Sequence, residues 1–175
     1  YSLRHHDRRV VLVEKDAIIA ELWRYLIRAT ARDFLGLPDL CDGETTNDLH
    51  ICDGARSLIG FWLNKGVSSP RKSPSAWMRS GVRPKSYWGP EVRAMLAAQA
   101  GEIAHWRIIE GDYTEAPDVE ATWFIDPPYV GAGHMYRHGP KGIDYASLAS
   151  WCLARHGQVM ACENSGATWL PFREH

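Results

Sequence analysis

The residues Asp126, Pro127, Pro128 and Tyr129 place a carboxylate, two prolines and a phenol ring directly after the apolar residues 121–125. Each proline fixes φ near about −65°, and a proline also disfavours helix at the residue before it. Neither proline has an N–H group, but both keep a carbonyl oxygen that accepts hydrogen bonds. The unit predicts a rigid site for an exocyclic amine on a flat ring, with Tyr129 as stacking face. An ordinary proline turn without a ligand is the alternative.

Two further acids follow apolar runs, Glu14 after "VVLV" and Asp112 after "RIIEG". Ligands of open parallel sheets bind beyond the carboxyl ends of the strands. One acid at such a position is commonly a helix cap or a turn residue. Three such acids, with Asp126 among them, predict a binding site at the edge of a sheet.

Strand and helix patterns alternate along the chain. Residues 9–13 are mainly apolar and rich in β-branched valine, which favours a buried parallel strand, and apolar residues within 17–29 recur at helical spacing. The alternation predicts an α/β fold with a mostly parallel sheet covered on both faces. The further predicted strands are 105–112, 121–126 and 158–164, and the further predicted helices are 55–64 capped by Asp53, 90–100 and 145–154 capped by Asp144.

The segment 62–93 is strongly basic, with seven Lys and Arg residues and one acid, although the whole chain has a net charge of −1. It predicts an anionic partner. Residues 66–90 are rich in Gly, Pro and Ser and should be irregular. The aromatic residues Trp77, Tyr87 and Trp88 are candidates for wedges or stacking faces on nucleic acid. The alternative is a solvated loop whose tryptophans lie in the core.

The composition predicts one globular domain, since 45% of the 175 residues are hydrophobic. No apolar run is long enough for a membrane span, and no leader pattern is visible, so we expect a soluble intracellular protein. The cysteines Cys41, Cys52, Cys152 and Cys162 lack C-x-x-C spacing, which favours reduced thiols and no metal site. Zinc held by Cys41, His50 and Cys52 is a minor alternative.

The D-P-P-Y sequence after an apolar strand resembles the catalytic motif of S-adenosylmethionine-dependent DNA amino-methyltransferases, in the form typical of adenine N6 enzymes. "VVLVEKDAIIAELWRYLI" resembles their segment that binds the cofactor ribose, and "IIEGDY" resembles the segment that meets the cofactor adenine. "IDYASLASWC" and "GQVMACEN" resemble the helix and strand after the catalytic loop. With a basic insert before D-P-P-Y, the order is similar to the DNA adenine methylase group, which includes phage enzymes. The resemblance covers most of residues 9–164 except the insert.

The resemblance implies S-adenosylmethionine as cofactor and a role for each matching residue. Asp126 and the Pro127 carbonyl accept from the target amine, Tyr129 stacks on the base, and Asp126 also borders the cofactor. The implied catalytic residues are Asp126, Pro127, Pro128 and Tyr129, and the other implied cofactor residues are Glu14 and Asp16 for the ribose and Asp112 and Tyr113 for the adenine.

The resemblance also implies a double-stranded DNA partner whose target base swings out of the helix. We expect a Rossmann-like methyltransferase core from residues 1–50 and 101–175, a DNA-recognition insert at 51–100, and a location in the cytoplasm of a bacterial or phage-infected cell, away from membranes. The predicted DNA-binding residues are Lys65, Arg71, Lys72, Arg79, Arg83, Lys85, Tyr136 and Arg137. Residues 131–139 are expected to be a flap over the base or an ordinary surface loop.

The sequence departs from this family in two places. The glycine-rich F-x-G-x-G loop that holds the methionine end of the cofactor is not found, and the chain stops soon after Trp169, before the usual last strands. We therefore expect a fold that is incomplete at both ends, from a longer protein or a decayed remnant. Four alternatives stay open: a DNA-binding module without catalysis, a cytosine N4 enzyme, an RNA enzyme and a structural α/β domain without a ligand. The recognition sequence and the oligomeric state are left open.

Overall fold

The computed structural model describes residues 7–41, 43–64, 66–79 and 86–172. It divides into two compact units, Tyr1–Tyr113 and Thr114–His175. The first unit contains β1 (Val11–Glu14), α1 (Ala17–Arg28), α2 (Ala31–Leu35), α3 (Asp53–Trp62), α4 (Ala76–Arg79), α5 (Pro90–Ala98) and β2 (Arg107–Glu110). The second contains β3 (Ala121–Ile125), α6 (Tyr145–Leu153) and β4 (Gly157–Ala161), and short 3₁₀ helices occur in both units.

The strands of the first unit pair in parallel, from Val11 opposite Arg107 to Glu14 opposite Glu110. Arg24 of helix α1 donates to Glu110 at 2.6 Å, which links the helix to this sheet. The bond forms because strand pairing brings the end of β2 beside α1. The predicted strands and the predicted α1 helix are confirmed with shifted ends.

The core of the first unit is formed mainly by α2, α3 and α5. Ile59, Leu63 and Val92 are at most 1% exposed, and Trp88 is 4% exposed. The helical spacing of the apolar residues in α3 creates this buried face. Residues 51–100, predicted to be an insert, therefore supply much of the core of the unit that ends at Tyr113, and the compact units divide the chain elsewhere than the predicted domains do.

Local capping explains where several helices begin. Asp144 caps α6 as predicted, accepting from the amides of Ala146 and Ser147 at 3.0 and 3.1 Å. The prediction that Asp53 caps α3 is wrong, because Asp53 is the first helical residue and Cys52 occupies the cap position without a side-chain bond. Helix α2 was not predicted; Thr30 is its N-cap and forms a capping box with the side chain of Asp33.

In the second unit, β3 and β4 pair in parallel with α6 between them in the chain, from Ala121 opposite Gly157 to Ile125 opposite Ala161. Trp123 packs edge-on against Trp151 of α6 at 5.4 Å between ring centroids. The next residue of β3, Phe124, points the other way and is 56% exposed.

The architecture is mixed α/β with short parallel strands. Within the described ranges these strands form two sheets of two strands each, instead of the single predicted sheet covered on both faces. The alternating exposure of β3 shows that one face of its sheet lies open. None of the described helices is long and apolar enough to cross a membrane.

Candidate active site

The turn after β3 begins where strand pairing ends. The amide of Cys162 donates to the carbonyl of Ile125 at 2.9 Å, so pairing with the β4 segment continues to the residue before Asp126. Asp126 is exposed, whereas Pro127, Pro128 and Tyr129 are half-buried. The carboxylate therefore lies at the carboxyl end of a parallel strand and faces solvent, as the sequence predicts.

Hydrogen bonding distinguishes the two proline carbonyls. The carbonyl of Pro128 accepts from the hydroxyl of Tyr145 at 2.5 Å. No described residue donates a hydrogen bond to the carbonyl of Pro127, and Asp126 has no ion pair with any described residue. The carboxylate of Asp126 has a hydrogen bond with Tyr129 but keeps further lone pairs, so this carboxylate and the Pro127 carbonyl can both accept from an N–H donor.

The phenol of Tyr129 lies in a negative environment. The charge of Asp126 is the main reason that the pKa of Tyr129 is raised, with smaller contributions from burial, Cys162, a hydrogen bond with Asp126 and the charge of Glu163. Each of these influences disfavours the phenolate. The charges and burial around Tyr129 therefore favour its neutral phenol.

The chain folds back tightly after Tyr129. The carbonyl of Tyr129 accepts from the amides of Ala132 and Gly133 at 3.2 and 2.9 Å. Gly133 is buried, and a Cβ atom at this position would lie 2.6 Å from the Cβ of Pro128. Glycine is required here because only a residue without a side chain allows such an approach to the proline. The glycine-rich segment 131–139 thus begins as a packed turn.

Glu163 is a residue of this site that sequence reasoning missed. Its Oε2 atom accepts from the amide of Val130 at 3.2 Å and from the indole N–H of Trp169 at 3.0 Å. Its Oε1 atom accepts from the amide of Asn164 at 2.8 Å. The available signal was its place near the end of the predicted strand 158–164, where the parallel neighbour of β3 ends.

The predicted cofactor acids Glu14 and Asp112 both lie at the carboxyl end of the β1–β2 sheet in the first unit. Oε1 of Glu14 accepts from the amide of Asp16 at 2.8 Å, while Oε2 accepts no hydrogen bond from the residues that the structure describes. Asp112 binds the ammonium group of Lys15 at 2.7 Å. Lys15 was not predicted, because its partner lies 97 residues away in the sequence.

The other two predicted cofactor residues have identifiable local roles. Asp16 caps α1 and accepts from the amide of Ile18 at 2.9 Å. Tyr113 is half-buried and begins the 3₁₀ helix Tyr113–Glu115. The capping role of Asp16 is a sufficient structural reason for an acid there, and the cofactor roles of both residues stay predictions.

A vicinal diol fits the rim of the β1–β2 sheet on the chemistry of its donors and acceptors. A carboxylate has about four lone-pair sites, and Glu14 uses one oxygen for its own loop while leaving the other open. Hydroxyl groups that donate to this oxygen would complete its hydrogen bonding without moving the strand. The open oxygen of Glu14 can therefore accept from hydroxyl groups.

Among the predicted DNA-binding residues, Arg71, Lys72 and Arg79 are exposed. Their segment is anchored to α3: the amide of Arg71 donates to the carbonyl of Gly60 at 3.0 Å. A Cβ at Gly60 would lie 2.7 Å from that of Pro70, so the approach depends on glycine. Lys65, Arg83 and Lys85 lie outside the described residues.

Two other residues of the basic segment have partners near residue 38. Arg93 forms a two-point ion pair with Asp39, in which Nη2 and Oδ2 are 3.0 Å apart. The indole N–H of Trp88 donates to the carbonyl of Pro38 at 2.8 Å, and the ring is buried. The hypothesis that Trp88 presents a stacking face to DNA is therefore wrong.

The remaining predicted DNA contacts, Tyr136 and Arg137, follow the 3₁₀ helix Gly133–Met135 and are both exposed. None of the four cysteines forms a disulfide bond. Burial raises the pKa of the Cys152 thiol, in keeping with a core role. Among the described residues, no group of three or more His, Cys, Asp or Glu side chains is placed to hold a metal ion.

Comparisons of the chain with protein-family models, with curated proteins and with solved structures find no match.

Proposed function

We propose that this protein transfers a methyl group from S-adenosylmethionine to the exocyclic N6 amine of adenine in DNA. The observation that supports the proposal best is the pair of available acceptors, the Asp126 carboxylate and the Pro127 carbonyl, beside the neutral ring of Tyr129. An exocyclic amine has two hydrogens that require acceptors, and the purine requires a flat apolar face. This short segment offers both.

The residues of the first unit are assigned to the methyl donor. S-adenosylmethionine, when bound, supplies a methyl group on a positively charged sulfur. Glu14 accepts from the ribose hydroxyls through the oxygen that its own loop leaves open. Asp112, held by Lys15 at the same sheet end as Glu14, is assigned to the adenine amine.

The residues of the second unit are assigned to the target amine. Its lone pair is delocalised into the purine, and hydrogen bonds to Asp126 and Pro127 favour the pyramidal form with a directed lone pair. The N–C bond forms as the S–C bond breaks, the electron pair of the broken bond stays on sulfur, and one amine proton leaves through Asp126 to water. The carboxylate offsets the positive charge that develops on nitrogen, and alignment of the reactants contributes roughly 7–11 kcal/mol.

The proposal extends to DNA binding and to the fold. Access to the amine requires the base to leave the helix, at a cost of a few kcal/mol that stacking on Tyr129 offsets. The exposed basic side chains of Arg71, Lys72 and Arg79 are assigned to DNA phosphates. Tyr136 and Arg137 are assigned to the DNA strand near the flipped nucleobase. The fold assigned in this proposal is that of a Rossmann-like methyltransferase, in a protein acting in the cytoplasm of a bacterial or phage-infected cell.

The test measures transfer of labelled methyl groups to unmethylated double-stranded DNA, followed by digestion to nucleosides. The wild type should label N6-methyladenine. Asp126→Asn keeps the side-chain volume and should lower the rate about 100- to 1000-fold, the loss typical of one preorganised charge-stabilising group. The control is Glu120→Gln, which alters an exposed carboxylate just before β3 and should leave the rate unchanged.

The same experiment separates the alternatives. Label in N4-methylcytosine, or label in RNA instead of DNA, would reassign the substrate amine. DNA binding without any calorimetric heat from S-adenosylmethionine would favour a binding module without catalysis. Equal rates for Asp126→Asn and Glu120→Gln would remove the assigned role of Asp126.

A further inference from the structure

The peptide groups on both sides of Tyr129 are each held by a side chain from a distant part of the chain. On one side, the hydroxyl of Tyr145, the first residue of α6, donates to the carbonyl of Pro128 at 2.5 Å. On the other side, the amide of Val130 donates to Oε2 of Glu163, just beyond β4, at 3.2 Å. Since these two peptide groups define the backbone angles of Tyr129, the two bonds restrict the direction in which its ring leaves the chain.

Both holding residues are braced by one aromatic cluster. The rings of Tyr145 and Trp169 are 5.4 Å apart between centroids, and Trp169 contacts Phe172 edge-on at 5.2 Å. The indole N–H of Trp169 donates to the same oxygen of Glu163 that holds Val130. Glu163 thus accepts three N–H groups in all and has no cation partner among the residues described. Its charge is satisfied by fixed dipoles, which gives one preferred orientation.

The Tyr145 bond also decides which proline carbonyl is offered to a ligand. Pro127 and Pro128 carry chemically equivalent acceptors, but the hydroxyl of Tyr145 occupies that of Pro128. An amine hydrogen therefore meets one open carbonyl, on the residue next to Asp126. Without the hydroxyl, both carbonyls would compete for the amine, and the adjoining peptide group would be free to rotate.

We propose that Tyr145 and Glu163 are positioning residues, which orient Tyr129 and reserve the Pro127 carbonyl for the target amine. The inference rests on the proposed function. Neither residue touches the reacting atoms in this scheme, so both act through the turn. Their substitution should lower the rate of the reaction more than the affinity for S-adenosylmethionine.

The test uses two variants. Tyr145→Phe removes the hydroxyl that binds the Pro128 carbonyl and keeps the ring. Glu163→Gln replaces one acceptor oxygen by an NH₂ group, so at least one of the three N–H donors loses its acceptor. Ser150→Ala is the matched control, since its hydroxyl also bonds a carbonyl, that of Ala146, within α6. We expect kcat to fall about 10- to 100-fold in the two variants, as for a small misplacement of a reacting group. KM for S-adenosylmethionine should stay within about twofold of the wild type, because uniform binding is untouched.

A second measurement does not depend on catalysis. The ¹⁵N order parameters of the Tyr129 and Val130 amides should be near about 0.85 in the wild type and in Ser150→Ala, and clearly lower in Tyr145→Phe and Glu163→Gln. Thermal unfolding of all four proteins checks that the variants are folded. If either variant is unfolded, the other variant decides the outcome.

The two measurements separate the inference from the proposed function. A wild type without methyl transfer, but with order parameters that fall in the variants, would refute the function and retain the orienting roles. The opposite result is methyl transfer that depends on Asp126, while Tyr145→Phe and Glu163→Gln have the same order parameters and kcat as Ser150→Ala. That result would overturn the inference and retain the proposed function.

Discussion

Gly133→Ala should disturb the turn that carries the proposed site, although it adds one methyl group. The new Cβ would lie 2.6 Å from the Cβ of Pro128 and 2.9 Å from its Cα and carbonyl carbon. Carbon atoms in favourable contact are about 3.5–4.0 Å apart, so the two groups must separate by about 1 Å. A proline ring cannot rotate out of the way, and the backbone of the turn must therefore move.

The magnitude follows from this overlap. Overpacking by one methyl group in a tightly packed place costs about 1–3 kcal/mol. Substitution of a glycine by alanine also stabilises a protein by about 0.4–1 kcal/mol through the unfolded chain. Gly131→Ala shares that second effect, and its Cβ meets only the side-chain nitrogen of Asn164 at an ordinary 3.7 Å. Neither glycine has a positive φ, so backbone strain does not enter the comparison.

The assay compares the two variants by thermal unfolding and by methyl transfer. Gly133→Ala should unfold about 2–4 °C lower than Gly131→Ala for each kcal/mol of overpacking. A displacement of about 1 Å in the turn should also reduce transfer up to about 100-fold. Equal melting temperatures and equal rates for the two variants would refute the close packing of the loop on Pro128, and with it the rigidity assigned to the turn.

Two further predictions concern the second unit. Asp126→Asn should lower the pKa of Tyr129, because the Asp126 charge is the main cause of its elevation; ¹³C NMR of labelled tyrosine measures this, and an unchanged pKa would contradict it. Because the pKa of Tyr129 is raised on folding, this residue contributes stability that is present below about pH 10 and is lost as the pH rises through its folded-state pKa. The free energy of unfolding should therefore fall less steeply with alkaline pH in Asp126→Asn than in the wild type. Gly157→Ala should lower the free energy of unfolding, measured by chemical denaturation, more than Gly166→Ala does. Both glycines have positive φ, which costs about 1–2 kcal/mol for alanine. A Cβ at Gly157 would also lie 2.1 Å from the carbonyl oxygen of Ala121, whereas one at Gly166 meets nothing within 4 Å. Equal losses of unfolding free energy in the two variants would mean that β3 and β4 can separate at Gly157 without loss of stability.

Local chemistry explains why much of the secondary structure could be predicted. The β-branched run before Glu14 and the apolar periodicity of α1 depend on neighbours a few residues away, and so does the cap at Asp144. The same locality explains the failures. Asp53 is a good capping residue by type, but the chain enters α3 one residue earlier, and the short helix α2 has too few turns to show a period.

The role of an individual side chain was decided by tertiary contacts. Trp88 and Arg93 are residue types that often contact nucleic acids. Both instead bind partners near residue 38, about 50 positions away in the sequence. A long-range partner also decides that Lys15 holds Asp112. No local pattern carries this information, because it depends on which elements pack together.

The sequence by itself determined that a carboxylate, two carbonyls and a phenol follow a parallel strand, since the stiffness of two prolines is a covalent property. Only the tertiary structure decided which of the two carbonyls stays open and what holds the ring of Tyr129. The reason is that Tyr145 and Glu163 reach the turn through the packing of α6 and the pairing of β3 with β4. Hydrogen bonds between such distant residues form when the chain folds, and their partners cannot be read from spacing.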